Sequence, residues 1–544
     1  MKPYLLIPSA KVVEPEMRSL GEIPPIIYPL NGELVFDYLY RKYKNHCDKV
    51  IISCHEKKER VHAKLDQYVP NGVNIIDLDD IDTLGDTIFQ SLIEEDIPVI
   101  INFGDTIVLD EGEEEDSFFY SEDFFSSKWT YFDEKDGELV TIVDKQSHLN
   151  SKIVGKFFVG VFYLSNSKLF KECIEKAKRQ SIETNSTFFT ALLYYSQIKS
   201  LKPIRAIEWL DIGHIDKYFN SKIEVKSREF NHISIDKSRG ILTKYSDEKE
   251  KFIGEIKWYL KLPSDVEYVC PRIFKYSLDY NNPFVSMEYY AYHTIHELFL
   301  FGDLNYNQWT NIFERILFIC NDFKRYTIKD SRIKESLEDM YLVKNMHRIE
   351  KIRHNSKFEK FFESPILING IKYKSLSDVT EVLKCIIPEM LYDVDTFNVI
   401  HGDLCFSNMM IDSNYSFVKL IDPRGKFGKF DIYGDERYEL AKLFHSVDGK
   451  YDYIIKDLFD ISYDEEKLKL DFSIHDKDRE FDLYSIMLDV FADDIGDDLR
   501  KIELIEALLF LSMIPLHGEN INHQLVMLGT GLEILDRVVD IREK

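Results

Sequence analysis

A chain of 544 residues exceeds what a single hydrophobic core organises, so about two to four domains are expected. Apolar residues at 44% and aromatic residues at 14% indicate packed globules and exclude a disordered chain. With 95 acidic against 69 basic residues and a net charge of −26, the surface repels nucleic acid and anionic membrane, and neither is an expected partner.

In chain order, the apolar run Tyr4–Pro8 reads as a strand entering a loop, and Glu33–Tyr43 has helical character. Lys49–Cys54 and Val73–Leu78 read as strands separated by a helix around His55–Tyr68, and a helix over Leu84–Glu95 precedes the strand Ile97–Asn102. Strands alternating with helices at this spacing predict a parallel α/β sheet whose ligands sit at the carboxyl ends of its strands. At one such end, Gly104-Asp105-Thr106 offers a carboxylate placed either to ligate Mg²⁺ or to cap a turn. Asp211, within Glu208–Gly213, is a second candidate ligand, and Asp144-Lys145 precedes a hairpin-like run, Phe157–Leu164. The acidic run Glu111–Asp116 reads as a solvated loop.

These segments, with Ile23-Pro24-Pro25-Ile26-Ile27-Tyr28-Pro29-Leu30-Asn31-Gly32, resemble the sugar-1-phosphate nucleotidyltransferases. The resemblance implies a Rossmann-like (GT-A-like) domain that uses Mg²⁺ and an NTP such as CTP or UTP. Asp105 and Asp211 would hold the metal, Gly85 in Leu84-Gly85-Asp86-Thr87 would contact the base, and Lys145 would contact the phosphate of the incoming sugar phosphate. One departure stands out. Where the family opens with Gly-x-Gly-x-Arg, this chain has Ser9–Arg18, lacking glycines and carrying Glu14 and Glu16, which repel phosphate. Lys11 and Arg18 are the candidates to hold a triphosphate instead, and both an active and a degenerate site stay open.

The polar stretch Tyr218–Glu229 marks a junction near Lys226, giving expected domains of 1–225 and 226–544. The second begins strand (Asn231–Ile235), turn (Asp236–Gly240), strand (Ile241–Tyr245), helix (Asp247–Leu262). Lys244 on the strand and Glu255 on the helix suit the pair that holds nucleotide α- and β-phosphates. Phe284–Tyr290, including Glu288, is placed like a hinge strand beside an adenine. Helices over 308–326, 332–354 and 376–392, and later over Asp431–Leu443, Tyr451–Asp460, Phe481–Phe491 and Ile502–Leu516, predict a helical second lobe.

The richest stretch is His401–Gly425, in which Asp403, Asn408 and Asp422 follow His-x-Asp-x-x-x-x-Asn, a strand, and an aspartate. A hydroxyl acceptor needs a carboxylate to take its proton, and Mg²⁺ on phosphates needs hard oxygen ligands. Asp403 is thus the expected base, Asn408 and Asp422 the metal ligands, with His401 orienting the loop and Asp435 bracing it. Arg424 is placed either to meet an anionic substrate or to make a structural salt bridge. The pattern resembles the aminoglycoside phosphotransferase and choline kinase superfamily, which implies a bilobal protein-kinase-like domain (N-lobe about 226–292, C-lobe about 293–544), ATP and Mg²⁺. Together the two resemblances imply a bifunctional kinase and nucleotidyltransferase acting on a sugar or small alcohol for surface polysaccharide. The alternative keeps the kinase and makes the first domain a nucleotide-sugar sensor. A quaternary-ammonium cage from Tyr289, Tyr290, Tyr292 and the four tryptophans is a weaker reading.

Seven scattered cysteines without a Cys-x-x-Cys pair fit a reducing cytoplasm. The apolar part of the N-terminus is too short for a signal peptide, and no run approaches the roughly 18 apolar residues of a membrane span. Ala507–Leu516 reads as a buried helix. A cytoplasmic protein without membrane insertion is expected, and a homo-oligomer stays open.

Overall fold

A computed structural model describes residues 2–110, 116–124, 126, 128–135, 137–143, 154–180, 187–214, 218, 231–355, 357–476 and 479–543. The chain divides into two compact units, Met1–Lys226 and Ser227–Lys544.

The first unit is built on β1 (Tyr4–Pro8), β2 (Val50–Cys54), β3 (Val73–Asp77) and β4 (Val99–Asn102), in spatial order β4-β1-β2-β3 with every pair parallel. The fully buried runs YLLIP, VIISC and VIIN are what a strand covered on both faces requires. This is a Rossmann-like sheet. α1 (Val35–Tyr43), α2 (Lys58–Leu65) and α3 (Leu84–Ser91) connect its strands, and α3 is capped reciprocally by Thr83 and Asp86. α3 stops at Ser91, short of the expected Glu95, because Leu92 turns extended.

After β4 come β5 (Thr106–Val108), β6 (Ser117–Phe124), β7 (Tyr131–Lys135), β8 (Glu138–Val143) and β9 (Val154–Leu164). Phe157–Leu164 is not a hairpin. It lies within the single strand β9, which pairs antiparallel with β4, β6 and β7 and breaks register between Phe158 and Phe162. Gly160 sits in that break at φ +97°, its bare Cα facing the Phe103 ring. Two helices absent from the sequence reading, α4 (Ser167–Gln180) and α5 (Thr187–Ser196), pack Phe170, Ile174, Phe188 and Leu192 into the core with Phe158 and Phe162. Each such side chain contributes about 1.5–3 kcal/mol. Glu111–Glu115 of the acidic run lie outside the described residues; Asp116 is no solvated group, since it accepts from the Ser165 amide (2.9 Å) and the Tyr195 hydroxyl (2.7 Å). The unit ends with β10 (Lys202–Arg205) on β6, and β11 (Trp209–Asp211) antiparallel to β5.

In the second unit an antiparallel sheet runs β12 (Asn231–Asp236), β13 (Ile241–Ser246), β15 (Phe284–Glu288), β14 (Ile273–Ser277). α6 (Lys249–Lys261) follows β13. A larger, mainly helical part includes α7 (Tyr306–Lys324), α8 (Lys344–Arg353) and α9 (Leu376–Leu391). The hairpin β16 (Met409–Ile411) and β17 (Val418–Leu420) precedes α10 (Glu436–Val447). α11 (Leu499–Met513) and α12 (Ile521–Val538) pack against one another, and the expected buried helix at Ala507 belongs to α11. This sheet, helix and helical lobe make a protein-kinase-like fold.

The second lobe is not all helical. Helix Tyr451–Ile455 gives way to strands Phe459–Asp464 and Lys469–Ile474, which form a four-stranded sheet with Ile366–Ile368 and Ile371–Tyr373. The reason is a period of two: Phe459, Ile461 and Tyr463 alternate with polar residues, as do Leu470, Phe472 and Ile474. The expected helix 332–354 is interrupted by a π-turn, Glu338–Val343, immediately before α8.

Candidate active sites

In the second unit, the end of the β16–β17 hairpin brings the key side chains together. Met409 pairs with Leu420, and the Ile421 amide donates to the Asn408 carbonyl (3.0 Å), so Asn408 lies opposite Ile421, the residue before Asp422. Asn408 Nδ2 donates to the Asp403 carbonyl (2.9 Å) and to Asp403 Oδ2 (3.1 Å). Its amide oxygen thereby faces away from Asp403. Lys244 Nζ reaches Glu255 Oε1 (2.9 Å) and Oε2 (3.0 Å) and Asp422 Oδ1 (2.7 Å). Asp403, Asn408, Asp422, Lys244 and Glu255 therefore occupy one region of one unit.

α6 is what assembles it. Glu255 faces Lys244, Trp258 donates from Nε1 to the Ile400 carbonyl (2.7 Å) with its ring edge-on to His401, and the Tyr259 hydroxyl accepts from the Asp422 amide (3.1 Å). The helix approaches so closely because Gly254 meets Gly425: a Cβ on Gly425 would lie 2.2 Å from the Gly254 carbonyl carbon. Gly425 also has φ +65°, a glycine conformation.

Two further residues, not anticipated from sequence, complete the loop. Lys442 Nζ pairs with Asp403 Oδ1 at 2.8 Å. Glu439 accepts from the amides of His401 (2.8 Å) and Gly402 (2.6 Å). The expected brace, Asp435, does otherwise. It caps α10, which begins at Glu436 rather than Asp431, and binds Arg437 and the Tyr341 hydroxyl (2.9 Å). Glu439, one turn on, is the residue that faces the loop.

The electrostatics follow from this geometry. Burial would raise Asp403, but the Lys442 ammonium overcomes it and holds the carboxyl well below its usual range. Burial pushes His401 down to about 4, so the ring is neutral at physiological pH. Burial likewise opposes charge on Lys244, yet Asp422 and Glu255 outweigh it and keep the ammonium protonated. One lysine facing two carboxylates leaves surplus negative charge. The half-exposed Asp422 carboxylate and the Asn408 amide oxygen, which also accepts from the Ser407 hydroxyl (3.5 Å), are hard donors that fit Mg²⁺.

Other predicted residues fall differently. Glu288 ends β15, where its amide donates to the Arg272 carbonyl (2.9 Å), and the Tyr289 amide donates to the Gly240 carbonyl (2.9 Å). Both amides serve the sheet. Arg424 makes no salt bridge among the described residues; it donates to the Lys426 carbonyl (2.9 Å) and the Tyr438 hydroxyl (3.2 Å). Trp258 and Trp309 are buried in the second unit, while Trp129 and Trp209 lie together in the first, their ring centroids 5.7 Å apart.

In the first unit, β11 pairs with β5 so that Asp211 lies opposite Thr106, next to Asp105. Both carboxylates converge on Gly213, whose missing Cβ would lie 2.8 Å from Asp105 Oδ2 and 3.3 Å from Asp211 Oδ1. Asp211 also accepts from Gly213 N (2.8 Å) and contacts His214 Nδ1 (2.7 Å). Burial, then the like charge of Asp211, raises Asp105 above its ordinary value. Two converging carboxylates that repel one another are a fit for a divalent cation.

The phosphate side is less open. Gly85 in α3 abuts Thr187 and Phe188, so its missing side chain admits the start of α5 rather than a base. After β1, the Val12 amide donates to Glu56 Oε2 (2.9 Å), Lys11 Nζ to the Asp82 carbonyl (3.3 Å), and Arg18 Nε to the Val13 carbonyl (3.2 Å), with Arg18 also paired to Glu22. Lys11 and Arg18 are thus engaged within the unit. Asp144 and Lys145 lie outside the described residues.

No protein-family model matches this chain, and neither does any curated protein. Solved structures are similar to parts of it. The CTP:phosphocholine cytidylyltransferase LicC from Streptococcus pneumoniae is 13% identical, covering 41% of this chain and 99% of its own, with a TM-score of 0.34. HddC from Yersinia pseudotuberculosis, in complex with GMP-PN, is 18% identical over 41% of this chain and 99% of its own, with a TM-score of 0.30. APH(2")-IIa, in a ternary complex with streptomycin and ATP, is 15% identical over 59% of this chain and 95% of its own, with a TM-score of 0.34.

Proposed function

We propose that residues 226–544 form an ATP-dependent phosphotransferase acting on a hydroxyl group, and that residues 1–225 form a nucleotidyltransferase that activates the product. The observation that carries the first part is the meeting of Asp403, Asn408 and Asp422 with the Lys244–Glu255 pair in one unit. In the reaction, the acceptor oxygen bonds to the γ-phosphorus of ATP as the bond to the β–γ bridging oxygen breaks. The electron pair leaves on ADP, and the hydroxyl proton passes to the Asp403 carboxylate. Lys442 keeps that carboxylate ionised, and Lys244, fixed by Glu255, holds the α- and β-phosphates. Asn408 and Asp422 would hold Mg²⁺, which neutralises phosphate charge when bound.

For the first unit the support is the convergence of Asp105 and Asp211, which would hold a second Mg²⁺. With an NTP such as CTP or UTP, the phosphorylated sugar or alcohol attacks the α-phosphorus and pyrophosphate leaves. The activated donor then serves surface polysaccharide synthesis in the cytoplasm. A second reading is favoured by the Glu56–Val12 contact and the engaged Arg18: a unit that binds nucleotide sugar without turning it over.

The test is ADP formation over a panel of sugars, amino sugars and small alcohols, with pyrophosphate release measured for each NTP. Asp403→Ala abolishes the first activity and Asp105→Ala the second alone. Loss of both from either change contradicts separate sites, and nucleotide binding without pyrophosphate release favours the sensor.

A further inference from the structure

Beside Asp403 lies a group of cations that the phosphoryl transfer itself leaves unused. Lys344 and Arg348 stand one turn apart on α8, directly after the π-turn Glu338–Val343. Arg424 comes from the loop after β17, and its aliphatic stem packs on Gly402, where a Cβ would lie 2.8 Å from Arg424 Cβ. Gly402 immediately precedes Asp403 and has φ +78°. The Tyr438 ring joins the two segments: Lys344 Nζ is 5.9 Å and the Arg424 guanidinium 5.8 Å from its centroid. One turn further along α10, Lys442 holds Asp403.

Lys442 thus has its carboxylate, while Lys344, Arg348 and Arg424 have none within 4 Å among the described residues. Their described hydrogen bonds go to neutral groups: Arg348 to Ser512 Oγ (3.4 Å), Arg424 to the Lys426 carbonyl and the Tyr438 hydroxyl. Burial, and then the charge of Arg424, depresses both Lys344 and Arg348. In a chain with a net charge of −26, three clustered cations without a counter-carboxylate are conspicuous. Guanidinium forks beside an ammonium match the oxygens of a phosphate or carboxylate.

We propose that Lys344, Arg348 and Arg424 form an anion subsite for the acceptor, so that the hydroxyl compound phosphorylated at Asp403 carries a phosphate or carboxylate of its own. This rests on the phosphotransferase reading and narrows its substrate class from sugars and alcohols in general to acidic ones. Aminated acceptors are disfavoured, because their cation would face the three already present.

The experiment is calorimetric titration of the full-length protein saturated with AMP-PNP and Mg²⁺, so that the γ-phosphate position is filled. Inorganic phosphate and acetate are then added in separate runs. Uptake of phosphate alone assigns a phosphate-bearing acceptor, and uptake of acetate a carboxylate-bearing one. Lys344→Gln with Arg348→Gln weakens the uptake about tenfold or more, whereas Lys344→Arg retains it. AMP-PNP binding by each variant shows that it has folded. No uptake of either anion, uptake only when AMP-PNP is left out, or uptake unchanged in the double variant overturns the subsite. Failure of the wild type to bind AMP-PNP overturns the phosphotransferase reading instead.

Discussion

The contact between Gly254 and Gly425 makes the sharpest test of how the second site is held. A Cβ placed on Gly425 falls 2.2 Å from the Gly254 carbonyl carbon and 2.6 Å from the Glu255 amide nitrogen. Ordinary contact is restored only if α6 and the loop part by about 1 Å. Glu255 follows Gly254, so that shift stretches the Lys244–Glu255 contacts, now 2.9 and 3.0 Å, beyond hydrogen-bonding distance. Losing charge-assisted anchoring of a phosphate-binding lysine costs about 1.5–3 kcal/mol, or roughly ten- to a hundredfold in affinity for AMP-PNP. Misplacement by about 1 Å lowers turnover roughly a hundredfold. Gly370→Ala is the control: its φ is +84°, with nothing within 4 Å of the added carbon, so it carries the backbone strain without the clash. The assay is AMP-PNP titration together with the melting temperature of both variants. Equal losses of affinity in the two, or unchanged affinity in Gly425→Ala, refute the argument that this contact positions the lysine.

Asp105→Asn removes one of two repelling carboxylates, so the metal-free protein melts no lower than wild type, while its stabilisation by Mn²⁺ disappears. In the wild type that stabilisation amounts to about 2.7 kcal/mol at a hundredfold excess over Kd, and a melting shift that survives the substitution places the cation elsewhere. Asp403 has a depressed pKa in the folded protein, so the stability it contributes is present above the ordinary carboxylate range and is lost only as pH falls through the lower folded value. Lys442→Met leaves burial as the dominant influence and moves the acid limb of the pH–rate profile upward; a limb that stays put denies Lys442 this role. The same substitution costs about 3–5 kcal/mol of stability, read by urea unfolding, because it leaves a buried carboxylate without its cation.

What could be read from sequence was local. Asp403, Asn408 and Asp422 lie within twenty residues, and a single hairpin folds them together, so spacing and one apolar run suffice. Lys244 and Glu255 are eleven apart on consecutive elements and equally visible. Lys442 and Glu439 reach the loop from a helix thirty-seven or more residues later, and nothing in their neighbourhood distinguishes them from surface charges. Asp435 reads as the brace if the apolar pattern of α10 begins at Asp431; a cap one turn later rotates a different carboxylate inward. Strands Phe459–Asp464 and Lys469–Ile474 carried a clear alternation that the helical context obscured. Gly85 shows the opposite error. Its place in a nucleotidyltransferase-like motif suggested a ligand, whereas the packing of α3 against α5 already requires a residue without a side chain there.

The two units differ in how their charges are balanced, and that difference bears on which readings are independent. Around Asp403 the chain supplies a cation for the base and two carboxylates for one lysine, then leaves three further cations beside the base with no carboxylate within 4 Å among the described residues. Each imbalance has a complement in the transfer reaction: surplus negative charge near Asp422 suits metal, and surplus positive charge near Arg424 suits an acidic acceptor. Among the described residues of the first unit such an imbalance shows on the cation side, at Asp105 and Asp211. After β1 the balance is already closed, since the Val12 amide faces Glu56 and Arg18 faces Glu22. A triphosphate entering there must displace a carboxylate from an amide before it gains one, a cost on the order of 1–3 kcal/mol per contact. Metal affinity and nucleotide turnover in that unit are therefore separable quantities: the carboxylate pair can bind a cation whether or not the loop admits a nucleotide.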